Sequence, residues 1–187
     1  MKTIFMKKPA VFLDRDGTLI EEVNYLSRVE DLRLFSYTAE SVKLLKEQGF
    51  WVIVVTNQSG IGRGIYSEAD MHSVHEAIQA ELGGAIDAFY FCPHLPDEGC
   101  KCRKPGLGMI EAAMAEFEID LENSWMIGDK KLDIETGQAA TMSTSLVSTG
   151  YGSEHKAVLE MPPTLFAADL GEAVQHIVGL VPTKIVV

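Results

Sequence analysis

Two carboxylates stand two residues apart in the segment Asp14-Arg-Asp-Gly-Thr18. One carboxylate of such a pair can attack a phosphorus atom while the other protonates the leaving oxygen, which are the two tasks in cleaving a phosphate ester. Gly17 lets the backbone turn tightly between them and the next residues. A solvated Asp-Gly turn followed by a threonine helix cap is the ordinary alternative, so this segment needs support from others.

Two further segments carry groups suited to a phosphoryl group and a metal ion. Thr56-Asn-Gln-Ser-Gly60 offers hydroxyl and backbone donors for a phosphoryl oxygen. Gly128-Asp-Lys-Lys-Leu-Asp133 places two carboxylates one helical turn apart. Its Asp129 could complete an oxygen-rich Mg²⁺ site with Asp14 and the backbone carbonyl of Asp16. A polar turn and a helix-capping aspartate are the structural alternatives.

Cys102-Arg-Lys-Pro105 supplies two neighbouring cations. Lys104 could neutralise charge on a transferring phosphoryl group, and Arg103 could bind a substrate phosphate or hydroxyl. Solvated surface charge is the usual role of such a pair. Arg63, between two glycines, could reach a substrate or brace its own loop.

All three cysteines and one histidine fall within one short loop, as Cys92-Pro-His94 followed by Cys100-Lys-Cys102. Three sulfurs and one imidazole make a tetrahedral Zn²⁺ set, and a closed site of this kind is structural. A chance grouping of buried thiols is the alternative, and the odd number disfavours a disulfide framework. The remaining histidines lack partner spacing and are expected to have ordinary surface or core roles: His72, His75, His155 and His176.

Strand and helix signals alternate along the chain, which predicts an α/β fold with a Rossmann-like parallel sheet and helices on both faces. The predicted strands are 10–13, 50–55, 86–91, 124–127, 143–148 and 165–168. The predicted helices are 38–49, 67–82, 108–117, a segment ending near 140, and 171–179, with a capping box at Ser67 and Asp70. Asp14, Thr56 and Asp129 each follow a strand, so we expect them at one sheet edge.

Composition limits the class of protein and its partners. A hydrophobic fraction of 47% and a charged fraction of 23% are typical of a globular chain. No apolar run approaches the ~20 residues of a membrane span, and Met1 to Pro9 lacks the pattern of a signal peptide, so we expect a cytoplasmic protein without a membrane partner. The net charge of −11 argues against nucleic-acid binding, but one pocket can still be positive enough for a small phosphorylated metabolite.

The four polar segments, in this order between Val11 and Thr136, resemble the haloacid dehalogenase superfamily of phosphohydrolases. The resemblance implies Mg²⁺ dependence and a covalent aspartyl-phosphate. By this resemblance Asp14 is the nucleophile, Asp16 is the general acid and base, and both bind Mg²⁺ together with Asp129. Thr56 and Lys104 are the implied pair that stabilises the phosphoryl group.

The cysteine loop is similar to that of two families, the D-glycero-D-manno-heptose 1,7-bisphosphate 7-phosphatases and the histidinol-phosphate phosphatases, which lack a large cap domain. Ser59 favours the heptose branch, since the histidinol branch usually carries Asp there. The sequence departs from the usual pattern of these families at two places near the expected substrate entrance. The spacing between the two pairs of zinc ligands is short, and the segment Pro105-Gly-Leu-Gly-Met109 differs. The substrate-binding residues implied are Glu22, Tyr25, Asn57, Gln58, Ser59, Arg103 and Lys130.

The resemblance therefore implies hydrolysis of the 7-phosphate of the heptose bisphosphate, in the pathway that feeds lipopolysaccharide. Three alternatives remain open: a histidinol-phosphate phosphatase, a polynucleotide 3′-phosphatase, which the acidic balance and the zinc loop disfavour, and a zinc-stabilised binding module without activity. We expect a single phosphatase domain over residues 1–187, with the zinc loop 92–102 inserted. Without a cap domain, we expect a monomer.

Overall fold

The computed structural model describes residues 7–181, and within them six strands form one parallel sheet. The N-terminal segment considered for a signal peptide and both ends of the expected domain extend outside the described residues. The strands are β1 (Ala10–Leu13), β2 (Trp51–Asn57), β3 (Ala88–Cys92), β4 (Trp125–Gly128), β5 (Ser143–Val147) and β6 (Leu165–Ala167). The helices are α1 (Thr38–Glu47), α2 (Ser59–Gly62), α3 (Glu68–Glu81), α4 (Gly108–Glu116), α5 (Lys131–Ala139), α6 (Gly152–His155) and α7 (Leu170–Leu180).

The central strand β1 is buried on both faces. Because successive side chains of a strand point to opposite sides, its residues contribute to two separate cores. Val11 and Leu13 join a core that includes buried residues of α1, α3 and α7. Ala10 and Phe12 join a second core, on the other face, with buried residues of α4. The layers are therefore helix, sheet and helix, which confirms the predicted fold class.

The sheet order β3-β2-β1-β4-β5-β6 brings the polar segments to one edge. The chain moves outward from β1 on one side through β2 and β3, and on the other side through β4 to β6. Ligands bind beyond the carboxyl ends of the strands at such a switch point. Asp14, Thr56 and Asp129 end or follow the three central strands β1, β2 and β4, so they share this crevice.

Most element bounds agree with the sequence, and the capping box of Ser67 and Asp70 is present. β3 begins at Ala88 instead of Ile86, because the Gln79 side chain binds both the amide and the carbonyl of Ile86 at 3.1 and 2.7 Å. The single-turn helices α2 and α6 were not predicted, since four residues are too few to show a helical period.

The connection from β1 to α1, residues 14–37, contains the 3-10 helix Val29–Asp31 and no inserted domain. The expected absence of a large cap thus agrees with the described part of the chain. In residues 7–181, none of the helices combines the length and apolar character that crossing a membrane requires.

Candidate active site

Asp14 lies at the carboxyl end of β1 and is held there by the neighbouring strand and by a buried lysine. Its amide donates to the carbonyl of Ile127 in β4, at 3.0 Å. Its Oδ1 accepts from the amide of Arg15 at 2.8 Å and lies 3.0 Å from Lys104 Nζ. Burial by itself raises the pKa of Asp14, but the charges of Lys104 and Lys130 outweigh it and hold the pKa below its usual value. Asp14 is therefore an ionised, oriented carboxylate, as a nucleophile requires.

Lys104 reaches the site from the loop that follows β3. Its ammonium group donates to Asp133 Oδ1 at 2.6 Å and to the carbonyl of Val55 at 2.8 Å, and only 3% of the residue is exposed. Burial lowers the pKa of Lys104, but Asp133 and Asp14 raise it above its ordinary value. The lysine is consequently charged, and it can neutralise a phosphoryl group bound beside Asp14.

Asn57 fixes the main chain of Lys104. The amide of Lys104 donates to Asn57 Oδ1 at 3.0 Å, and Asn57 Nδ2 donates back to the carbonyl of Lys104 at 3.3 Å. Because Asn57 ends β2, this paired contact ties the loop carrying the lysine to the sheet. The expected substrate contact of Asn57 stays a prediction, but its side chain has this positioning contact in the structure.

Asp129 is enclosed by backbone. Gly17 and Gly150 both adopt positive φ, at 78° and 54°, and a Cβ at either position would collide with Asp129 Oδ2. The same oxygen accepts from the amide of Tyr151 at 2.9 Å. Only glycine at these two positions combines this backbone conformation with so close an approach.

Three buried carboxylates, those of Asp14, Asp129 and Asp133, each offer an oxygen within 4.8 Å of the others. Burial and the charge of Asp14 raise the pKa of Asp129 to about 8. Its buried Oδ1 accepts no hydrogen bond from residues 7–181, and Lys130 Nζ lies 3.7 Å away. An unsatisfied carboxylate oxygen among like charges is stabilised by a hard divalent cation, which prefers oxygen ligands. These residues therefore fit Mg²⁺.

Asp16 belongs to a second polar network. Arg15 donates from Nε to Asp16 Oδ2 at 3.1 Å and from Nη2 to Oδ1 at 3.0 Å. Gln58 Nε2 donates to Asp16 Oδ2 and to Thr56 Oγ1, both at 2.9 Å, while its Oε1 accepts from Arg15 at 3.0 Å and from Tyr66 at 2.5 Å. All four hydrogen-bonding positions of the Gln58 amide are thus occupied by protein groups.

A polar cavity of about 190 Å³ opens beside Asp16. Lys130 and Glu22 form an ion pair of 3.0 Å across it, and the Lys130 ammonium lies 5.1 Å from the centre of the Tyr151 ring. Burial raises the pKa of Glu22, with partial compensation by Lys130. Most of the expected substrate-binding residues line this cavity: Glu22, Tyr25, Asn57, Gln58, Ser59 and Lys130.

Arg103 is the expected substrate-binding residue that lies elsewhere. Its Nη1 donates to the carbonyl of His94 at 3.2 Å, and the residue lines a separate cavity beside Cys100 and Lys104. Its role in binding substrate stays a prediction.

The cysteine loop brings its four potential ligands together. The sulfurs of Cys92, Cys100 and Cys102 are 3.2 to 3.6 Å apart, and His94 Nδ1 lies 3.5 and 3.3 Å from the sulfurs of Cys92 and Cys102. A tetrahedral ion with bonds of about 2.3 Å to sulfur and 2.0 Å to nitrogen requires separations close to these. The donor set therefore fits Zn²⁺.

Sequence reasoning missed two residues that contact the candidate site, and a third, His75, lies beside one of them. Asp133 was recognised only as a second carboxylate, although its spacing from Asp129 places it on the first turn of α5, where it binds Lys104 and the amide of Lys130. The type and position of Arg15 gave no signal of burial in the sequence, yet only 1% of it is exposed. His75, expected to have an ordinary role, lies with Nε2 3.3 Å from Arg15 Nη1.

Comparison with known proteins agrees with this geometry. A family model described as HAD-hydrolase-like matches residues 101–173, which carry Lys104, Asp129 and Asp133. The crystal structure of D,D-heptose 1,7-bisphosphate phosphatase from B. bronchiseptica, complexed with magnesium and phosphate, matches with a TM-score of 0.84 at 28% identity, covering 91% of this chain and 98% of that one. Fold and site together define a phosphohydrolase of the haloacid dehalogenase type.

Curated relatives narrow the class. The D-glycero-D-manno-heptose-1,7-bisphosphate 7-phosphatase of Thermosynechococcus vestitus is 40% identical over 92% of this chain and 96% of its own length. The D-glycero-beta-D-manno-heptose-1,7-bisphosphate 7-phosphatase of Yersinia pestis is 40% identical over 76% of this chain and 81% of its own. The chain belongs to the family of D-glycero-D-manno-heptose-1,7-bisphosphate 7-phosphatases.

The buried imidazole of His75 gives the protein a specific dependence on pH. Burial, together with the charge of Arg15, lowers the pKa of His75 from 6.5 to about 3 in the folded state. Between these values the unfolded chain binds the proton and the folded chain does not, so stability falls as the pH falls. From pH 6 to pH 4, we expect His75 to account for a loss of about 2 kcal/mol in the free energy of unfolding.

Urea unfolding of the wild type and of His75→Phe, at several pH values in this range, measures that contribution. The free energy of unfolding of the variant should fall less steeply with decreasing pH. Parallel slopes for the two proteins would show that His75 is protonated in the folded state near pH 6.

Proposed function

We propose that this enzyme hydrolyses the 7-phosphate of D-glycero-D-manno-heptose 1,7-bisphosphate through an aspartyl-phosphate on Asp14. The observation that carries the proposal is the position of Asp14, ionised at the switch point of the sheet with Lys104 Nζ 3.0 Å away and the unsatisfied carboxylate of Asp129 beside it. The substrate follows from the family, whose named members are 40% identical to this chain over most of its length.

In the first step, an Asp14 oxygen attacks phosphorus and the bond from phosphorus to the sugar oxygen breaks. The leaving sugar oxygen needs a proton, and Asp16, which lines the cavity, supplies it. Lys104 and the Thr56 hydroxyl are the groups proposed to stabilise the phosphoryl oxygens. The products of this step are the sugar alcohol and the phosphorylated Asp14.

In the second step, water attacks the phosphorus of the aspartyl-phosphate. Asp16, now ionised, takes the proton of that water, and the bond from phosphorus to Asp14 breaks to release inorganic phosphate. Arg15 donates to both Asp16 oxygens and Gln58 donates to Oδ2, and these bonds orient the carboxylate for this step.

Asp14, Asp129 and the backbone carbonyl of Asp16 are the groups proposed to hold Mg²⁺, with Asp133 adjacent. The bound ion supplies charge neutralisation to the phosphoryl oxygens. The excess of carboxylates in this cluster supports the assignment, because Lys104 and Lys130 alone leave Asp129 Oδ1 without a hydrogen-bond donor.

The cavity beside Asp16 is the proposed sugar site. Glu22 can accept hydrogen bonds from sugar hydroxyls, and Lys130 can donate to a hydroxyl or to a second phosphate. These two groups are paired at 3.0 Å, so a substrate that binds both must replace their mutual contact with its own. Tyr25 and Ser59 complete the wall of the cavity that a sugar would contact.

The cysteine loop holds a structural Zn²⁺ in this proposal. None of the three cysteines forms a disulfide bond, so all three are available as ligands. Arg103 and Lys104 directly follow the last ligand, Cys102. Zinc would fix a loop that is too short to bury a core, and with it the position of Lys104. A zinc–thiolate site suits a reducing compartment, which supports a cytoplasmic location.

A substrate comparison tests the proposed function. Phosphate release should be fastest from heptose 1,7-bisphosphate, supplied as both anomers because relatives named for each are known, and slower from fructose 1,6-bisphosphate and histidinol phosphate. The measurement is kcat/KM for each substrate with excess Mg²⁺. A clear preference for histidinol phosphate would overturn the assignment.

Replacing the nucleophile tests the covalent step. Asp14→Asn should lower kcat by about 10³-fold or more, because the amide oxygen is a poor nucleophile for phosphorus. The matched control is Asp31→Asn. Asp31 is a half-exposed carboxylate in the 3-10 helix Val29–Asp31, which lies outside the strands and their ends. Phosphate release that survives in the Asp14 variant at the rate of the control would eliminate the aspartyl-phosphate.

Replacing one thiol tests the zinc site. Cys100→Ser should weaken zinc retention by about 100-fold, and thereby lower the free energy of unfolding by about 3 kcal/mol. Lys101→Ser is the control, because Lys101 is an exposed neighbour in the same loop and carries no ligand atom of the cluster. Elemental analysis and thermal unfolding measure the two effects. Equal zinc content and stability in the two variants would refute the site.

A further inference from the structure

Arg15 links Asp16 to the interior of the protein. A guanidinium has five N–H donors and no acceptor, so a buried one needs several acceptors around it. The two carboxylate oxygens of Asp16 accept hydrogen bonds from Nε and Nη2, and Gln58 Oε1 also accepts from Nη2. The remaining nitrogen, Nη1, lies 3.3 Å from His75 Nε2.

His75 is held in place independently of Arg15. It lies on the buried face of α3 with 5% of the residue exposed, and its ring stacks on Phe89 of β3 at 4.6 Å between centroids. Because a guanidinium can only donate, Nε2 must accept, and the ring is the neutral form with its proton on Nδ1. Two elements of the fold, α3 and β3, thus fix an acceptor on the side of Arg15 away from Asp16.

We propose that His75 is a positioning residue for Asp16, acting through Arg15. Without this acceptor, Nη1 becomes a buried donor without a partner, and a guanidinium that turns toward another acceptor breaks its two parallel bonds to Asp16. Gln58 would then be the remaining side chain that holds the carboxylate. The inference rests on the proposed function, since it assigns His75 to the acid–base step of the same reaction.

The two half-reactions differ in how much they need Asp16. Transfer of phosphate from a sugar to Asp14 requires a proton for the leaving alkoxide, whereas nitrophenolate leaves p-nitrophenyl phosphate without one. Hydrolysis of the aspartyl-phosphate is the same for both substrates, because Asp16 must take the proton of the attacking water. A misplaced Asp16 therefore slows the second step with p-nitrophenyl phosphate and leaves the first step unchanged.

Two substitutions separate the acceptor from the ring. His75→Phe keeps the volume and the stacking on Phe89 but removes the acceptor, and His75→Gln places an amide oxygen where Nε2 was. In rapid-mixing experiments with p-nitrophenyl phosphate, the ratio of first-turnover rate to steady-state rate should rise about tenfold in His75→Phe. Because the first step is unchanged, kcat and KM should fall together and kcat/KM should change little, and His75→Gln should restore the wild-type ratio.

The exposed neighbour His72 provides the control, because it lies on the same helix and makes no contact with Arg15 among the described hydrogen bonds. His72→Phe should keep the wild-type ratio. The burst amplitude measures the number of folded active sites. In His75→Phe, a reduced amplitude with an unchanged ratio of first-turnover rate to steady-state rate would mean that His75 only stabilises the fold. That result would overturn the proposal. If His75→Phe does not fold, His75→Asn, whose shorter amide does not reach Nη1, replaces it.

The assay is independent of the natural substrate. A wild type that turns over p-nitrophenyl phosphate and ignores heptose bisphosphate refutes the proposed substrate, while the ratio in His75→Phe still decides the role of His75. A first-turnover rate that falls in parallel with the steady-state rate would place the defect before aspartyl-phosphate hydrolysis and would overturn the proposal.

Discussion

The buried ammonium of Lys104 is the constraint on which the rest of the site depends. A charge that is 3% exposed is tolerated only when it is paired and its donors are satisfied, and here Asp14, Asp133 and the Val55 carbonyl do this. These partners come from three different strand ends or helix starts, so the sheet must be correctly formed before the lysine can be buried. Loss of the lysine would leave Asp14 and Asp133 buried without their shared cation, which couples the stability of the crevice to its chemistry.

The same pairing leaves the site with an excess of negative charge that the protein does not neutralise. Lys104 satisfies Asp14 and Asp133, and Lys130 is shared between Glu22 and Asp129 at 3.0 and 3.7 Å. Burial between the backbones of Gly17 and Gly150 prevents Asp129 from turning to solvent. A divalent cation would resolve this imbalance beside Asp14, the proposed nucleophile, where phosphoryl charge must also be balanced.

The sequence predicted the sheet, its helices and the convergence of Asp14, Thr56 and Asp129, because the carboxyl ends of neighbouring parallel strands meet at one edge of the sheet. It did not predict which polar groups bind each other. The Gln58 amide is occupied by Arg15, Asp16, Thr56 and Tyr66, and the Asn57 amide holds the main chain of Lys104. Such pairings depend on side-chain direction and on loops brought together by packing, which residue type and spacing do not encode. Arg15 and His75, sixty positions apart, are the clearest case.

The proposed nucleophile and the proposed acid–base group are held by different cations, and this difference has a mechanistic consequence. In the proposed reaction Asp14 stays ionised, which the charges of Lys104 and Lys130 favour, whereas Asp16 gains and loses a proton in each cycle. Lys104 pairs with Asp14 and Asp133, and its described ion pairs do not include Asp16. The structure gives Asp16 to Arg15 and Gln58, and the amide of Arg15 also donates to Asp14 Oδ1. Asp14 therefore keeps Lys104 as its partner while Asp16 exchanges its proton, and the main chain of Arg15 fixes the two carboxylates relative to each other.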